Sequence, residues 1–158
     1  MCLNIGTTAQ HKIAEHDITV YKVYIYDVKY GDFISPFHYF NMKINKCYTS
    51  DLTLDYSHGL FKAIKGFHSF TNIRDAIKLR DELKELNFST PFTICKCIIP
   101  KGSKYFEGVF ERYDDSSMLF IQYHSIASDN IMIVDRLDTK NPVLDNIKRW
   151  REMEKKQK

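Results

Sequence analysis

Two short segments of the chain combine polar side chains with signs that a strand ends or turns. In the first, Gly66 to Thr71, a histidine and two hydroxyls lie among phenylalanines directly before a helical pattern. The N-terminus of a helix presents free N–H groups and the positive end of the helix dipole, which suits a phosphate or a carboxylate. The second segment, Ile98 to Tyr105, predicts a strand that turns at Pro-Lys-Gly and then resumes. The first segment therefore offers His68, Ser69 and Thr71 as candidate ligand-binding residues.

A purely structural role explains the same three residues. Thr71 can cap the helix, and His68 can bind a backbone carbonyl in the core. In an extended backbone His68 and Ser69 point to opposite faces, and Thr71 shares the face of Ser69. The sequence leaves both interpretations open.

Lys22 is the one charged residue in the strongest strand pattern of the chain, Ile18 to Tyr26. This segment is β-branched and aromatic nearly throughout, and its almost continuous apolar character predicts a central strand that is covered on both faces. A lysine in such a strand either reaches an anionic ligand in a pocket or runs its stem along an edge with the ammonium in water. The apolar surroundings favour the first interpretation. A pocket shared by Lys22, His68 and Ser69 requires this strand and the strand ending at Phe70 to be neighbours.

No complete catalytic signature is present. The chain has no Walker loop, no glycine-rich dinucleotide fingerprint and no nucleophile elbow. Asp17, Asp129 and Asp135 are isolated carboxylates at predicted strand ends, without the spacing of a paired-acid site. No Cys-His or Ser-His pair is favoured by its spacing. The sequence therefore assigns no catalytic residue.

The four cysteines, at positions 2, 47, 95 and 97, do not form a metal motif. Cys95 and Cys97 have the spacing of neighbours on one face of a strand. Zinc sites usually have a wider spacing within a ligand pair and a second pair elsewhere. We expect buried, reduced cysteines, with neither a metal nor a disulfide.

Length and composition are those of one soluble domain spanning residues 1–158. The hydrophobic fraction is 44%, the charged fraction is 27%, and no apolar stretch is long enough to cross a membrane. The first residues lack a basic region followed by an apolar block, so we expect a cytoplasmic protein. Much of the net charge of +3 comes from a basic C-terminal tail. We expect this tail to fray at residues 151–158, and nucleic-acid binding is therefore not favoured.

The order of predicted elements is strand-rich, helix, strand-rich, helix, without an internal repeat or a linker. This order indicates a single α+β domain and not an alternating βαβ fold. Short connections within residues 92–137 predict a twisted, mostly antiparallel sheet. One helix is expected at about 73–86, capped by Thr71 or Asn72, and a second at 142–154, opened by a proline.

The remaining segments follow from local composition. Residues 1–16 lack periodicity and are expected to be irregular, and residues 49–60 are expected to form a loop. Strands are predicted at 18–26, once or twice within 37–48, in a segment that ends at Phe70, and at 92–99, 105–113, 118–123 and 130–137.

Six motifs resemble a family of small uncharacterised proteins from gut Bacteroidales and their phages. They are Ala-Glu-His-Asp-Ile at 14–18, Val-Tyr-Lys-Val at 20–23, Ser-Pro-Phe at 35–37, Gly-Phe-His-Ser-Phe at 66–70, Ile-Pro-Lys-Gly-Ser at 99–103 and Ala-Ser-Asp-Asn-Ile at 127–131. The resemblance covers most of residues 13–134 and implies a small bacterial or phage-encoded protein. A phage origin associates such a protein with interference in a nucleotide-signalling defence pathway, an anti-defence role.

The layout is also similar, at a greater distance, to that of ADP-ribosyltransferase-like domains. Those domains run an early Tyr-Arg strand, a Phe-Ser-Thr-like strand leading into a helix, a strand pair, and a strand with a Glu-x-Glu-type motif. Tyr21-Lys22 and residues 67–71, 98–102 and 127–133 follow this order. The resemblance implies a pocket for NAD or another nucleotide. Its ligand-binding residues would be Tyr21, Lys22, His68, Ser69, Thr71 and Asp129.

Two departures from that layout count against catalysis. Lys22 stands where an arginine would bind the cofactor, and Ser128-Asp129 stands where the catalytic glutamate would be. An aspartate is one methylene shorter, and it is a poor substitute for a glutamate that positions a nucleophile and stabilises developing charge. The resemblance therefore implies the shape of a pocket, with no resident cofactor.

We therefore expect a small cytosolic protein that binds a nucleotide-like ligand or a host protein without catalysis. The first alternative is an ADP-ribosyl or related NAD-dependent transferase that uses Lys22, His68 and Ser69. The second alternative is a structural or interaction module whose motifs serve only folding. No membrane partner is expected.

Overall fold

The computed structural model describes residues 3–7, 10–36, 40–87, 89–114 and 119–137. Thirteen strands and one helix account for most of these residues. In chain order they are β1 (Leu3–Gly6), β2 (Lys12–Ile13), β3 (Ile18–Asp27), β4 (Asp32–Ile34), β5 (Asn41–Met42), β6 (Cys47–Thr49), β7 (Leu54–Ser57), β8 (Leu60–Ala63), β9 (Phe67–Phe70), α1 (Ile73–Leu86), β10 (Phe92–Ile99), β11 (Lys104–Asp114), β12 (Leu119–Ser128) and β13 (Asn130–Arg136).

The strands pair into one sheet in the order β6-β13-β10-β3-β9-β12-β11-β1-β8-β7. Outside this path, β2 pairs with β11, and β4 pairs with β3 and β5. The pairings between these strands are antiparallel. The antiparallel sheet expected from the short connections is therefore present.

β3 is an inner strand of this sheet, as its apolar sequence predicts. It pairs with β10 from Ile18 opposite Ile99 to Ile25 opposite Phe92. On its other side it pairs with β4 and, through Tyr21 opposite Phe70, with β9. The strand that ends at Phe70 is thus a direct neighbour of the strand that carries Lys22, which the pocket hypothesis requires.

The two faces of the sheet bury separate apolar clusters. α1 covers one face, where its buried residues Ala76 and Leu79 pack against Val23, Phe70 and other side chains. The opposite face buries a larger cluster that consists of Val20, Tyr24, Phe33, Met42, Cys95, Cys97, Ile99, Ile126, Ile131 and Ile133. Because side chains alternate along a strand, β3 and β10 each contribute to both clusters.

α1 is confirmed at Ile73–Leu86. Its N-cap is Asn72, whose side chain accepts a hydrogen bond from the backbone N–H of Arg74 at 2.8 Å. The helix packs on β3 and β10 because its apolar residues recur at helical spacing. No helix in the described residues combines the length and the apolar character needed to cross a lipid bilayer.

The prediction of an α+β fold with two helices is wrong. The described part of the chain is dominated by an antiparallel sheet and has one helix, and the expected helix at 142–154 lies outside the described residues. Residues 1–16, expected to be irregular, contain β1 and β2. The expected loop at 49–60 contains β7. These strands are short, so their alternation is too brief to be recognised, and they form because the long β11 and the neighbouring β8 supply partners.

β1 lies unusually close to β11 at Gly108. A Cβ atom at this glycine would overlap the carbonyl oxygen of Asn4 and lie 2.9 Å from its carbonyl carbon. The register places Asn4 opposite Val109, so the two backbones meet at this point. Any side chain at 108 therefore has to displace β1.

We expect Gly108→Ala to destabilise the protein by about 1–3 kcal/mol, because the added methyl overfills a close backbone contact. Urea unfolding measures the loss, and hydrogen exchange of the β1 amides locates it. Gly59→Ala is the control, because its Cβ would meet nothing within 4 Å and only its positive φ of 78° opposes the change. Unchanged protection of the β1 amides in Gly108→Ala would contradict the close approach.

Candidate functional site

A cavity lies on the face of the sheet opposite α1, and we call it the Lys22 cavity. Its volume is about 340 Å³, within the range of about 300–1,000 Å³ typical of ligand pockets. The strands β3, β5, β6 and β9 and the segments next to them supply its walls. The lining residues are Lys22, Ser35, Phe40, Met42, Thr49, Ser50, Lys65, Gly66 and Phe67.

Lys22 is buried although it ends in a charged amine, with only 6% of the residue exposed. Its Nζ donates a hydrogen bond to the backbone carbonyl of His68 at 2.7 Å and lies 5.7 Å from the centroid of the Tyr24 ring. Among the described residues no carboxylate forms an ion pair with this amine. An ammonium has three N–H donors. The bond to His68 uses one of them, and no other hydrogen bond joins this amine to a described residue, which leaves donors for a ligand in the cavity.

Burial lowers the pKa of Lys22 from its ordinary value of 10.5 to about 8. The cause is the loss of hydration, which disfavours the charged form of a buried amine. Cys97, on the neighbouring strand β10, opposes this effect. Burial raises the pKa of the Cys97 thiol to about 12, so near neutral pH this neighbour is an uncharged thiol. The charge of Lys22 therefore has no neutralising partner among the described residues of the wall around it.

The other walls combine apolar surface with polar groups. Phe67, Phe40 and Met42 supply the apolar part, and Ser35, Thr49, Ser50 and the exposed Lys65 supply the polar part. Three hydrogen bonds fix the rim of the cavity: the Ser35 amide to the Phe40 carbonyl at 3.2 Å, the Ser50 amide to the Asp129 carbonyl at 2.8 Å, and the Thr49 hydroxyl to the Asn130 side chain at 2.7 Å.

Gly66 connects the two parts of the wall that carry Lys65 and Phe67. Its φ of +118° is a conformation that residues with a Cβ rarely adopt. A Cβ here would also lie 2.7 Å from Leu52 Cδ1 and 3.0 Å from the Ser128 carbonyl oxygen. Glycine at this position therefore lets the chain turn tightly into β9 and keeps Lys65 at the mouth of the cavity.

The structure separates His68 from Lys22. The His68 side chain alternates with Ser69 along β9 and shares the face of Phe70, which packs beneath α1. Val23, the next residue after Lys22 on β3, packs in that same cluster. Because neighbouring side chains on a strand point to opposite faces, the Lys22 side chain lies on the other face of the sheet. We expected Lys22, His68 and Ser69 to surround one concave site. The structure does not place the His68 side chain there, and His68 contacts the Lys22 amine through its backbone carbonyl.

Ser69 shares the face of Lys22 but lies deeper in the sheet. It is fully buried, and its hydroxyl has no hydrogen-bond partner among the described residues. It is opposite Ile126 in the pairing with β12 and does not line the cavity.

The remaining predicted residues lie elsewhere. Tyr21 packs with the cluster beneath α1. Thr71 donates its hydroxyl to the His124 carbonyl at 3.4 Å and lines a different depression on the surface. Asp129 accepts hydrogen bonds from the Lys104 amide at 3.0 Å and from the Asn130 side chain at 2.7 Å, and thereby holds the end of β12. Of the six predicted residues, the structure therefore places Lys22 alone in the wall of the cavity.

Sequence reasoning missed most of the cavity wall. Met42 and Thr49 come from short strands and Ser35 directly follows one, and none of the three belongs to a ligand-binding motif. Lys65 had a detectable signal, since it directly precedes the glycine that opens the Gly66 to Thr71 segment. A basic residue next to a glycine of that kind is a reasonable candidate for a ligand contact.

Metal binding finds no support in the described residues, where no group of three or more histidine, cysteine, aspartate or glutamate side chains is placed to hold an ion. Cys95 and Cys97 are both buried in the larger apolar cluster, as their spacing predicts. Burial also raises the pKa of Cys95. Both thiols thus behave as small apolar side chains.

Comparisons of the chain with protein families, with curated proteins and with solved structures found no match. The resemblances to the Bacteroidales and phage proteins and to ADP-ribosyltransferase-like domains stay predictions.

The depressed pKa of Lys22 has a consequence for stability. Below pH 8 the folded and unfolded states both carry the proton, and the folded state bears the full cost of the buried charge. Between pH 8 and 10.5 the unfolded state binds more protons, so the contribution of Lys22 to the free energy of unfolding rises with pH. The two buried cysteines act in the opposite sense, because a raised thiol pKa removes stability as pH rises above 9.

We expect Lys22→Met to be more stable than the wild type at pH 7 by about 1–3 kcal/mol, because an apolar side chain replaces an unpaired buried charge. The difference should shrink as pH rises from 8 to 10. Urea unfolding of both proteins at each pH measures it, and the contribution of Cys95, on whose pKa Lys22 does not act, cancels in the comparison. Lys78→Met, on the exposed surface of α1, should show no such pH dependence. A difference that stays constant with pH would contradict the depressed pKa.

Proposed function

We propose that the protein binds a small anionic ligand, of the nucleotide type, in the Lys22 cavity and does not transform it. The observation that carries this proposal is the buried ammonium of Lys22, which lines the cavity with no carboxylate partner among the described residues. An unpaired buried charge is costly. An anion in the cavity would remove that cost, because it supplies the missing opposite charge.

The composition of the wall supports a ligand with a phosphate and a flat apolar group. Lys22 and Lys65 both line the cavity and provide positive charge, and charge-assisted hydrogen bonds to phosphate are stronger than neutral ones. Phe40 and Phe67 provide aromatic surface on which a base or a similar ring can pack. Among the described residues that line the cavity, none is acidic.

The contacts of Asp129 favour binding over transfer chemistry. Its side chain is engaged by the Lys104 amide and by Asn130, and it does not line the cavity. The acid that a transferase of the resembled layout would need is thus occupied in holding a turn. We therefore expect NAD to stay intact after prolonged incubation with the protein.

We expect AMP, ADP, ADP-ribose or inorganic pyrophosphate to raise the melting temperature, and adenosine to have a much weaker effect. A ligand at a hundredfold excess over its Kd stabilises the folded state by about 2.7 kcal/mol. Lys22→Met should weaken binding about 10- to 100-fold, because a hydrogen bond to a charged group contributes about 1.5–3 kcal/mol. Isothermal titration calorimetry measures the affinities.

Lys78→Gln is the matched control, since it removes one positive charge from an exposed helix position away from the cavity. It should bind as the wild type does. Equal losses in Lys78→Gln and Lys22→Met would show that only net charge matters and would contradict the site. If no anion stabilises the wild type, the ligand proposal fails, and the interaction with a host protein becomes the function to test.

A further inference from the structure

We propose that Lys22 is also a covalent capture site, whose amine forms an imine with a small aldehyde that carries a phosphate. This inference rests on the proposed anion-binding function of the same cavity, and it adds a bond between the protein and its ligand. The geometry that supports it is a buried lysine amine that lines the Lys22 cavity and donates a hydrogen bond to one backbone carbonyl.

Imine formation requires a neutral amine with a free lone pair. With a pKa of about 8, about one Lys22 side chain in ten is neutral at pH 7. An ordinary exposed lysine is neutral far more rarely. Lowering a lysine pKa by desolvation is a general way to activate it for attack on a carbonyl.

The groups around Lys22 preserve this neutral fraction. From β10 it is faced by the thiols of Cys95 and Cys97, which stay protonated, and from its own strand by Tyr24, whose pKa burial raises well above 10. From β9 the neighbouring group is the uncharged His68 carbonyl. Lys65 is the other basic residue that lines the same cavity.

The chemistry balances with one proton taken from solvent. The lone pair of the neutral Nζ attacks the aldehyde carbon, and a proton moves from the nitrogen to the former carbonyl oxygen to give a neutral carbinolamine. A proton from solvent then lets the hydroxyl leave as water, and the nitrogen lone pair forms the protonated carbon–nitrogen double bond. The iminium N–H can then donate to the His68 carbonyl, in place of the ammonium N–H that donates to it at 2.7 Å in the free protein. No oxidation or reduction occurs.

The phosphate distinguishes this site from an unselective reactive amine. Lys65 lies at the mouth of the cavity and offers a second cation to the phosphate while the aldehyde reaches Lys22. Loss of that contact should weaken capture without altering the amine itself. A phosphorylated aldehyde should therefore react faster than the same aldehyde without its phosphate.

Pyridoxal 5′-phosphate is a suitable probe, since it combines an aldehyde, a ring and a phosphate. The wild-type protein is incubated at pH 8 with one equivalent, reduced with borohydride and mapped by peptide mass spectrometry. We expect one pyridoxyl group, on Lys22, although the chain has many more exposed lysines. Pyridoxal should label Lys22 at least about tenfold less, which corresponds to about 1.4 kcal/mol. Inorganic pyrophosphate should protect Lys22 in the wild type.

Variants separate the parts of the proposal. Lys22→Arg keeps the charge and removes the reactive amine, so it should lose the adduct. Lys65→Gln should label more slowly, and Lys78→Gln should label as the wild type does. Labelling spread over exposed lysines, with Lys22 unmodified, would overturn the inference. If pyrophosphate still binds in that case, the anion site stands and capture fails. If pyrophosphate neither binds nor protects, the proposed function fails as well.

Discussion

The buried ammonium of Lys22, held by a single backbone carbonyl, is the constraint around which the cavity is arranged. A charge in the middle of an inner strand is costly unless the fold compensates for it. Here the compensation is incomplete, because the His68 carbonyl accepts one hydrogen bond and no described carboxylate approaches. The amine lines a cavity at this point. Under the proposed function, an anion in the cavity would supply the opposite charge that the fold does not provide.

The sheet topology makes this arrangement possible. β3 lies between β10 and β9, so one neighbour buries the stem of Lys22 beside the cysteines and the other supplies the carbonyl. β5, β6 and the residue that follows β4 contribute Met42, Thr49 and Ser35 to the wall of the cavity. α1 covers the opposite face, which leaves the cavity face free of helix. The tight turn at Gly66 brings Lys65 to the cavity mouth.

Long elements could be predicted from the sequence because their periodicity is strong. β3, α1 and β10 lie where the apolar patterns place them, and Lys22 stands out as a charge in a buried strand. The short strands could not be predicted, since they depend on partners that are distant in sequence. The grouping of His68 with Lys22 failed for a related reason. Sequence spacing shows which residues of one strand share a face, but only the pairing of β9 with β3 shows which face that is.

The most direct test is the pKa of Lys22, measured by NMR of its side chain in the free protein and with pyrophosphate bound. This one value depends on the burial of the amine, on the missing counter-charge and on the binding of an anion. We expect a value of about 8 in the free protein and a higher value with pyrophosphate, because an adjacent anion favours the ammonium. An ordinary value near 10.5 that pyrophosphate leaves unchanged would contradict both the burial of the charge and its role in binding.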